Sequence, residues 1–170
     1  MTVTGEWICG WAGRMDALCS TFMGRFASAF GYPPGENCVA RAASSAAVEG
    51  LPDDLVTFYR HVEQVSLPDV GSGLFVHPAG RTVDGLRGDL PTRIGGPRED
   101  SVVVFGSDGG GALFALSATD GSTVYRLPPS RVEGGVYTAG AVPPEVVAPD
   151  LAGFLSLLER ELAAVNRAMQ

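Results

Sequence analysis

The chain has 170 residues, of which 45% are hydrophobic and 18% charged, a composition typical of a single globular domain. Its 19 acidic and 12 basic residues give a net charge of −7, which argues against non-specific nucleic-acid binding because such binding depends on Lys and Arg. The same charge favours a monomer, since identical copies repel each other, and it suits a basic protein partner.

The cysteines indicate a reducing environment. Cys9, Cys19 and Cys38 have neither the Cys-x-x-Cys spacing of a zinc site nor the even count of a disulfide framework. We therefore expect small, buried, reduced thiols in a cytoplasmic protein. The N-terminus lacks the basic start and unbroken apolar core of a signal peptide. No stretch approaches the roughly 20 apolar residues of a membrane span.

The first quarter of the chain contains one clear helical pattern. Residues 1–13 are predicted to be irregular. Apolar residues then recur in steps of four from Leu18 to Phe30, which predicts a helix over residues 16–30 that ends at Gly31. Residues 37–49 have only weak helical character. We expect one domain over residues 1–170, with an N-terminal helical extension (1–45) and a core (46–168).

A second helix is predicted over residues 51–62. Pro52 at its first position and the acids Asp53 and Asp54 in its first turn are typical of a helix start, because the acids face the positive end of the helix dipole. A catalytic pair of carboxylates is the less favoured alternative. Short strands follow at 65–68 and 74–77. Residues 78–100, rich in Gly and Pro, are predicted to form a long loop and a variable contact surface.

A β-hairpin is predicted over residues 101–116, where a Gly-rich segment separates two apolar runs. The run 102–105 does not alternate with polar residues, which indicates a central strand covered on both faces. A phosphate-binding loop is excluded because the chain has no Lys and a strand follows the glycines. We expect Asp108 to shape the turn through bonds to its own backbone. The structural glycines of this turn are Gly106, Gly109, Gly110 and Gly111.

The last third of the chain continues the sheet and then closes it with a helix. Asp120-Gly121 predicts a turn, residues 123–127 a half-buried strand and residues 132–137 an edge strand. An apolar stripe from Leu151 to Val165 predicts a helix that begins at Asp150. These elements predict an α+β fold, an antiparallel meander sheet packed against N-terminal helices and a closing C-terminal helix.

Catalytic and metal-binding motifs are missing from the sequence. His61 matches one half of a zinc deaminase motif, but no Cys-x-x-Cys half follows it. His77 has no ligand partner at usable spacing. There is no Gly-x-Ser-x-Gly elbow, and a chain without Lys has no Schiff-base mechanism. We therefore expect no cofactor, no metal and no enzymatic activity.

Four segments of the chain carry a resemblance to a known family through their order and spacing: Leu51–Tyr59, Val104–Leu116, Asp120–Leu127 and Val147–Leu155. Together they resemble the SUKH superfamily, which joins bacterial immunity proteins with fungal regulators of cell-wall synthesis. The resemblance implies an α+β fold without enzymatic activity and, in bacterial members, the binding of a toxin, often a nuclease or a deaminase. The residues that bind the partner vary with the toxin, so none is carried over by position.

Three functions stay open at this point. The first is an immunity protein that neutralises a basic toxin, for which an acidic surface gives fast association. The second is an intracellular scaffold or regulator with a non-toxin partner. The third is a small hydrolase or ligand-binding enzyme, which needs a deep pocket with convergent polar groups. For each predicted partner contact, a solvated surface charge is the alternative. These contacts are Asp69, Asp84, Asp89, Glu99, Asp100 and Asp108.

Overall fold

A computed structural model describes all residues from 1 to 170 and confirms the α+β fold class. Helix α1 spans Gly5–Phe30, α2 spans Asp53–Tyr59, α3 spans Ala79–Asp84 and α4 spans Leu151–Ala168. None of these helices combines the length and the apolar composition that crossing a membrane requires. The strands are β1 (Cys38–Arg41), β2 (Val62–Leu67), β3 (Leu74–Val76), β4 (Arg93–Ile94), β5 (Asp100–Asp108), β6 (Leu113–Ser117), β7 (Val124–Leu127), β8 (Arg131–Glu133), β9 (Val136–Thr138) and β10 (Glu145–Ala148).

The strands form one main antiparallel sheet with a smaller sheet attached to it. The main sheet has the order β1-β2-β3-β5-β6-β7-β10. The smaller sheet begins at β4, which pairs with the first two residues of β5. Strand β3 pairs with the last three residues of β5 on the same edge. Strand β9 lies parallel to β4, and β8 closes this sheet as its outer strand. The arrangement therefore departs from a pure antiparallel meander at the β4–β9 pair.

Strand β5 is buried on both faces, as its unbroken apolar run predicts. Val103 and Phe105 belong to the large core that the sheet forms with α1, α2 and α4. Val102 and Val104 point to the opposite face, where they join Tyr137 in a small core under the second sheet. Because successive side chains of a strand alternate between faces, one apolar run serves both cores.

Helix α1 is longer than the sequence predicts. Thr4 caps its N-terminus by accepting a hydrogen bond from the Trp7 amide at 3.2 Å. The fully buried Trp11 donates from Nε1 to the Leu155 carbonyl oxygen of α4 at 2.9 Å. The predicted irregular segment 1–13 is therefore wrong, because packing against α4 stabilises a helix there. The predicted end at Gly31 is confirmed, and this glycine has a left-handed φ of 79°.

Three further segments differ from the predictions. The helix predicted over residues 51–62 spans only Asp53–Tyr59, and Val62 is already the first residue of β2. Residues 38–41 are a strand paired with β2 rather than weakly helical, so the segment 1–45 also contributes to the sheet. Residues 78–100 are not one long loop. They form α3, a π-helical turn over Gly85–Asp89 and then β4. Gly88 supplies a φ of 126° inside that turn, a conformation that glycine adopts without steric cost.

The end of the sheet also contains more strands than predicted. The predicted single edge strand at 132–137 is a hairpin, β8–β9, which turns at Gly134 and Gly135, both with positive φ. Strand β10 was not predicted, and it covers the edge of β7. The closing helix is confirmed, since the Asp150 side chain caps α4 by accepting from the Gly153 amide at 2.7 Å.

Candidate functional site

A polar cleft of about 570 Å³ lies between the segment that leads into α2 and the turn between β6 and β7. Residues 50–54 line one side and residues 118–122 the other, with Met1 and Thr2 beside them. Three of the lining side chains are carboxylates, those of Asp53, Asp54 and Asp120, and none is an arginine. We call this feature the acidic cleft.

The first side of the cleft carries a pair of unlike carboxylates. Asp53 is exposed and takes part in no hydrogen bond or ion pair, so its charge faces solvent. Asp54 is buried and accepts a hydrogen bond from the Val3 amide at 3.3 Å. Burial raises the pKa of Asp54, although the Val3 amide opposes this shift. Both residues lie in the first turn of α2, as the sequence predicts.

The second side is an aspartate turn that holds its carboxylate in place. Asp120 Oδ1 accepts from the amides of Ser122 at 2.7 Å and Thr123 at 2.9 Å, and Oδ2 accepts from the Thr123 hydroxyl at 2.6 Å. These bonds, above all that from the Thr123 hydroxyl, lower the pKa of Asp120. Asp120 is exposed and has no cationic partner. It therefore presents a fixed negative charge to the cleft.

Neighbouring bonds tie this turn to the rest of the fold. Thr119, which lines the cleft, donates from Oγ1 to Asp100 Oδ1 at 2.6 Å. Ser122 donates from Oγ to the Pro149 carbonyl oxygen at 2.7 Å, next to the start of α4. Asp100 is thus hydrogen-bonded to the rim of the cleft, and no other predicted contact bonds to a residue that lines it.

The other predicted contacts are scattered, and several are used internally. Asp69 accepts hydrogen bonds from the Gly35 amide and from Asn37 Nδ2, each at 2.7 Å. Asp84 and Glu99 form exposed ion pairs with nearby arginines, Arg87 and Arg93. Asp89 is exposed and accepts no hydrogen bond. Each of the bonded residues therefore has its own local partner, and none of the four bonds to another.

Asp108 is an internal residue, and its predicted role in shaping the turn is confirmed. Oδ1 accepts from the amides of Gly110 and Ala112, each at 2.9 Å, and Oδ2 accepts from Arg126 at 2.9 Å. Its side chain is only 5% exposed. Burial alone would raise the pKa of Asp108, but Arg126 and the two amides outweigh it and hold the pKa below its ordinary value.

The hairpin glycines are required mainly by close contacts. A Cβ on Gly106 would lie 2.5 Å from the Phe75 carbonyl oxygen, and one on Gly109 would lie 1.9 Å from that of Ser72. Gly106 belongs to β5 and not to the turn itself. Of the four predicted turn glycines, only Gly111 has a positive φ, 92°.

A histidine–serine pair lies where β3 meets β5. His77 Nε2 is 2.9 Å from Ser107 Oγ. Burial, with a smaller effect of Arg81, lowers the pKa of His77 to about 4. The other ring nitrogen, Nδ1, is buried without a hydrogen-bond partner. In a serine-nucleophile triad a carboxylate holds that nitrogen, and neither His77 nor Ser107 lines the acidic cleft. The pair does not assemble a triad.

A second, smaller cavity of about 240 Å³ lies between residues 42–47 and the start of α3. Half of its ten lining residues are alanine, and Glu63, Tyr59 and Ser44 are its polar side chains. The Tyr59 hydroxyl is already engaged with the His77 carbonyl oxygen at 2.7 Å and with Thr82 Oγ1 at 2.8 Å. The cavity therefore lacks the convergent free polar groups of a small-molecule site.

Sequence reasoning missed the acidic cleft as a unit. It assigned Asp53 and Asp54 to the helix dipole and Asp120 to a turn, and the structure shows both local roles. No local pattern signals that the two segments face each other across one concavity. The chain matches no protein-family model, and no curated protein or solved structure is significantly similar to it. The resemblance to the SUKH superfamily therefore stays a prediction.

Proposed function

We propose that this protein is a non-enzymatic protein-binding module that acts as an immunity protein and neutralises a basic bacterial toxin domain, such as a nuclease or a deaminase. The observation that supports the proposal is the acidic cleft. It is concave, it carries the exposed carboxylates of Asp53 and Asp120, and its one cationic group, the ammonium of Met1, is paired with Asp150. A net charge of −7 extends the same negative potential over the molecule.

The cleft suits the chemistry of a protein that grips phosphate. Nuclease domains bind nucleic acid through Lys and Arg. Cationic side chains form charge-assisted hydrogen bonds with carboxylates, so the same side chains bind Asp53 through either oxygen and Asp120 through the remaining lone pair of Oδ2. Complementary charge speeds the encounter of the two proteins and orients the complex. In this mechanism the protein occupies the surface that the toxin needs for its substrate.

The bonds around Asp120 give it the rigidity that such a contact needs. Three hydrogen bonds from Ser122 and Thr123 fix the carboxylate before a partner arrives. Binding then orders one side chain fewer, which lowers the entropic cost of association. Asp53 differs, because it is unrestrained and adjusts to the partner. One fixed and one adaptable carboxylate thus face the same concavity.

The proposal is tested by co-expression with the toxin domain encoded beside this gene. We expect the wild-type protein to restore growth and to co-elute with the toxin domain in size-exclusion chromatography. The double variant Asp53→Asn/Asp120→Asn should lose both effects. The matched control Asp84→Asn/Asp89→Asn removes the same charge from the segment 78–100 and should retain both.

Three other results would contradict either the immunity function or the assignment of the contact surface to the acidic cleft. If the wild-type protein neither restores growth nor forms a complex, the immunity function is wrong. A complex without growth rescue contradicts immunity and favours a scaffold. Growth rescue that is lost in the Asp84/Asp89 control, and kept in the Asp53/Asp120 variant, moves the contact surface from the acidic cleft to the segment 78–100.

A further inference from the structure

One pair of reactive side chains lies outside the acidic cleft and is not used by the proposed function. Cys9 is exposed on α1, and its Sγ lies 3.4 Å from Nδ1 of His61, just before β2. The sequence predicts three buried cysteines, and this is confirmed only for Cys19, because Cys9 is exposed and Cys38 is half-buried. A thiol beside an imidazole nitrogen is the pairing that activates cysteine nucleophiles, because the imidazole takes the thiol proton.

The position of the imidazole depends on the residue opposite to it. A Cβ on Gly5 would lie 2.5 Å from His61 Nε2 and 3.1 Å from Cε1. Any residue larger than glycine at this position therefore displaces the ring. The ring packs against the first turn of α1 while Nδ1 faces Cys9. Glycine at position 5 therefore leaves room for the His61 ring in the position where it contacts Cys9.

The other two thiols lack these features. Burial raises the pKa of Cys19 to about 11. The pKa of Cys38 is also raised, first by burial and then by Glu36. Neither thiol has a histidine partner. The chain therefore carries one accessible thiol that contacts an imidazole and two thiols whose pKa values are raised.

We propose that Cys9 and His61 form a thiol–imidazole pair that exchanges with small-molecule disulfides, which makes Cys9 a site of reversible S-thiolation. His61 Nδ1 accepts the thiol proton, and Cys9 Sγ attacks one sulfur of the disulfide. The S–S bond of the reagent breaks, a mixed disulfide forms on Cys9, and the released thiolate takes the proton from His61. The reagent supplies the oxidising equivalent, and a second thiol reverses the step.

The test measures the rate at which glutathione disulfide modifies the folded protein, by intact-mass and peptide mass spectrometry between about pH 6 and pH 9. We expect one fast adduct, located on Cys9 and removed by excess thiol. Cys9→Ser should abolish it, whereas Cys38→Ser should leave it unchanged. His61→Asn removes the group that accepts the thiol proton, so it should slow the reaction about tenfold near neutral pH.

A second variant separates chemistry from folding. Gly5→Ala keeps both reactive groups but pushes the ring away, so it should slow the adduct in the same direction as His61→Asn. Thermal unfolding of each variant verifies that the measured protein is folded. The proposal is overturned if Cys9 reacts no faster than Cys38, or if folded His61→Asn and folded Gly5→Ala both react at the wild-type rate.

Discussion

Two turns of the sheet are built on the same local motif and place their charge in opposite ways. Asp108 and Asp120 each accept two backbone amides on Oδ1. The Oδ2 atom of Asp108 is bound by Arg126 and buried, whereas the Oδ2 atom of Asp120 is bound by the neutral hydroxyl of Thr123 in an exposed turn. The first charge is cancelled inside the fold, and the second is presented to solvent.

The comparison shows that an aspartate turn in the sequence does not reveal whether its charge is available to a partner. What decides is the residue that the fold brings to the second oxygen. For Asp108 that residue comes from β7, far along the chain. We therefore expect substitutions of Asp108 to change mainly the stability of the fold. Substitutions of Asp120 should change mainly the binding of the proposed partner.

The largest expected effect is at Asp108, whose side chain is covered although the glycines of its turn are exposed. Asp108→Ala should lower the free energy of unfolding by about 2 to 4 kcal/mol, because it leaves two amides and a half-buried guanidinium without their partner. Chemical denaturation measures the loss. Asp108→Asn, which keeps an acceptor for the two amides, should cost clearly less. Equal costs for the two variants would show that the ion pair, and not the turn, dominates.

The next largest effect is a pH dependence of the unfolding free energy, which comes from His77 beside this turn. The pKa of His77 is lowered to about 4 from 6.5. Between these values the unfolded chain binds the proton that the folded protein does not. Stability should therefore be full above about pH 6.5 and decrease by on the order of 1 to 3 kcal/mol as the pH falls toward 4.

The variant His77→Gln isolates this effect, because all carboxylates titrate equally in both proteins. The difference in unfolding free energy between wild type and His77→Gln should change across that pH window. Parallel curves for the two proteins would contradict the assignment of a buried, neutral imidazole.

The exposed turn should be less sensitive. Asp120→Ala removes hydrogen bonds that water replaces easily, so the expected loss is about 1 kcal/mol in the free energy of unfolding. A loss as large as that of Asp108→Ala would break the contrast between the two turns. Thermal and chemical unfolding of both variants under identical conditions make the comparison.

The smallest effect on stability is expected at the other side of the acidic cleft. Asp53→Asn removes only a favourable charge in the first turn of α2, which is worth about 0.5 kcal/mol or less. The same change should weaken partner binding. A variant that keeps its stability but loses binding would assign Asp53 to the interface, whereas unchanged binding would remove it from the proposed contact.

Much of the fold could be predicted because its signals are local. The cap at Asp150 with its apolar stripe, the Pro52 helix start and the apolar run in β5 each specify an element from adjacent residues. The first half of α1 could not be predicted in this way. Its stability comes from contacts with α4, such as that of Trp11 with Leu155, and no local pattern records them.

The candidate site is less predictable for the same reason. Each of its carboxylates has a local explanation that is correct and incomplete. The cleft exists only because the α2 start and the β6–β7 turn meet in the fold. Likewise the Cys9–His61 contact joins residues from separate elements, and Gly5 gives no hint of it in isolation.

The proposed binding role of the acidic cleft is tested most directly by the association rate of the purified protein with a basic nuclease or deaminase toxin domain, taken as the candidate partner and measured by stopped flow at increasing salt. We expect fast association that slows steeply with salt, and a much weaker salt dependence for Asp53→Asn/Asp120→Asn than for the Asp84→Asn/Asp89→Asn control. The same salt dependence in both double variants would contradict a binding role for the acidic cleft.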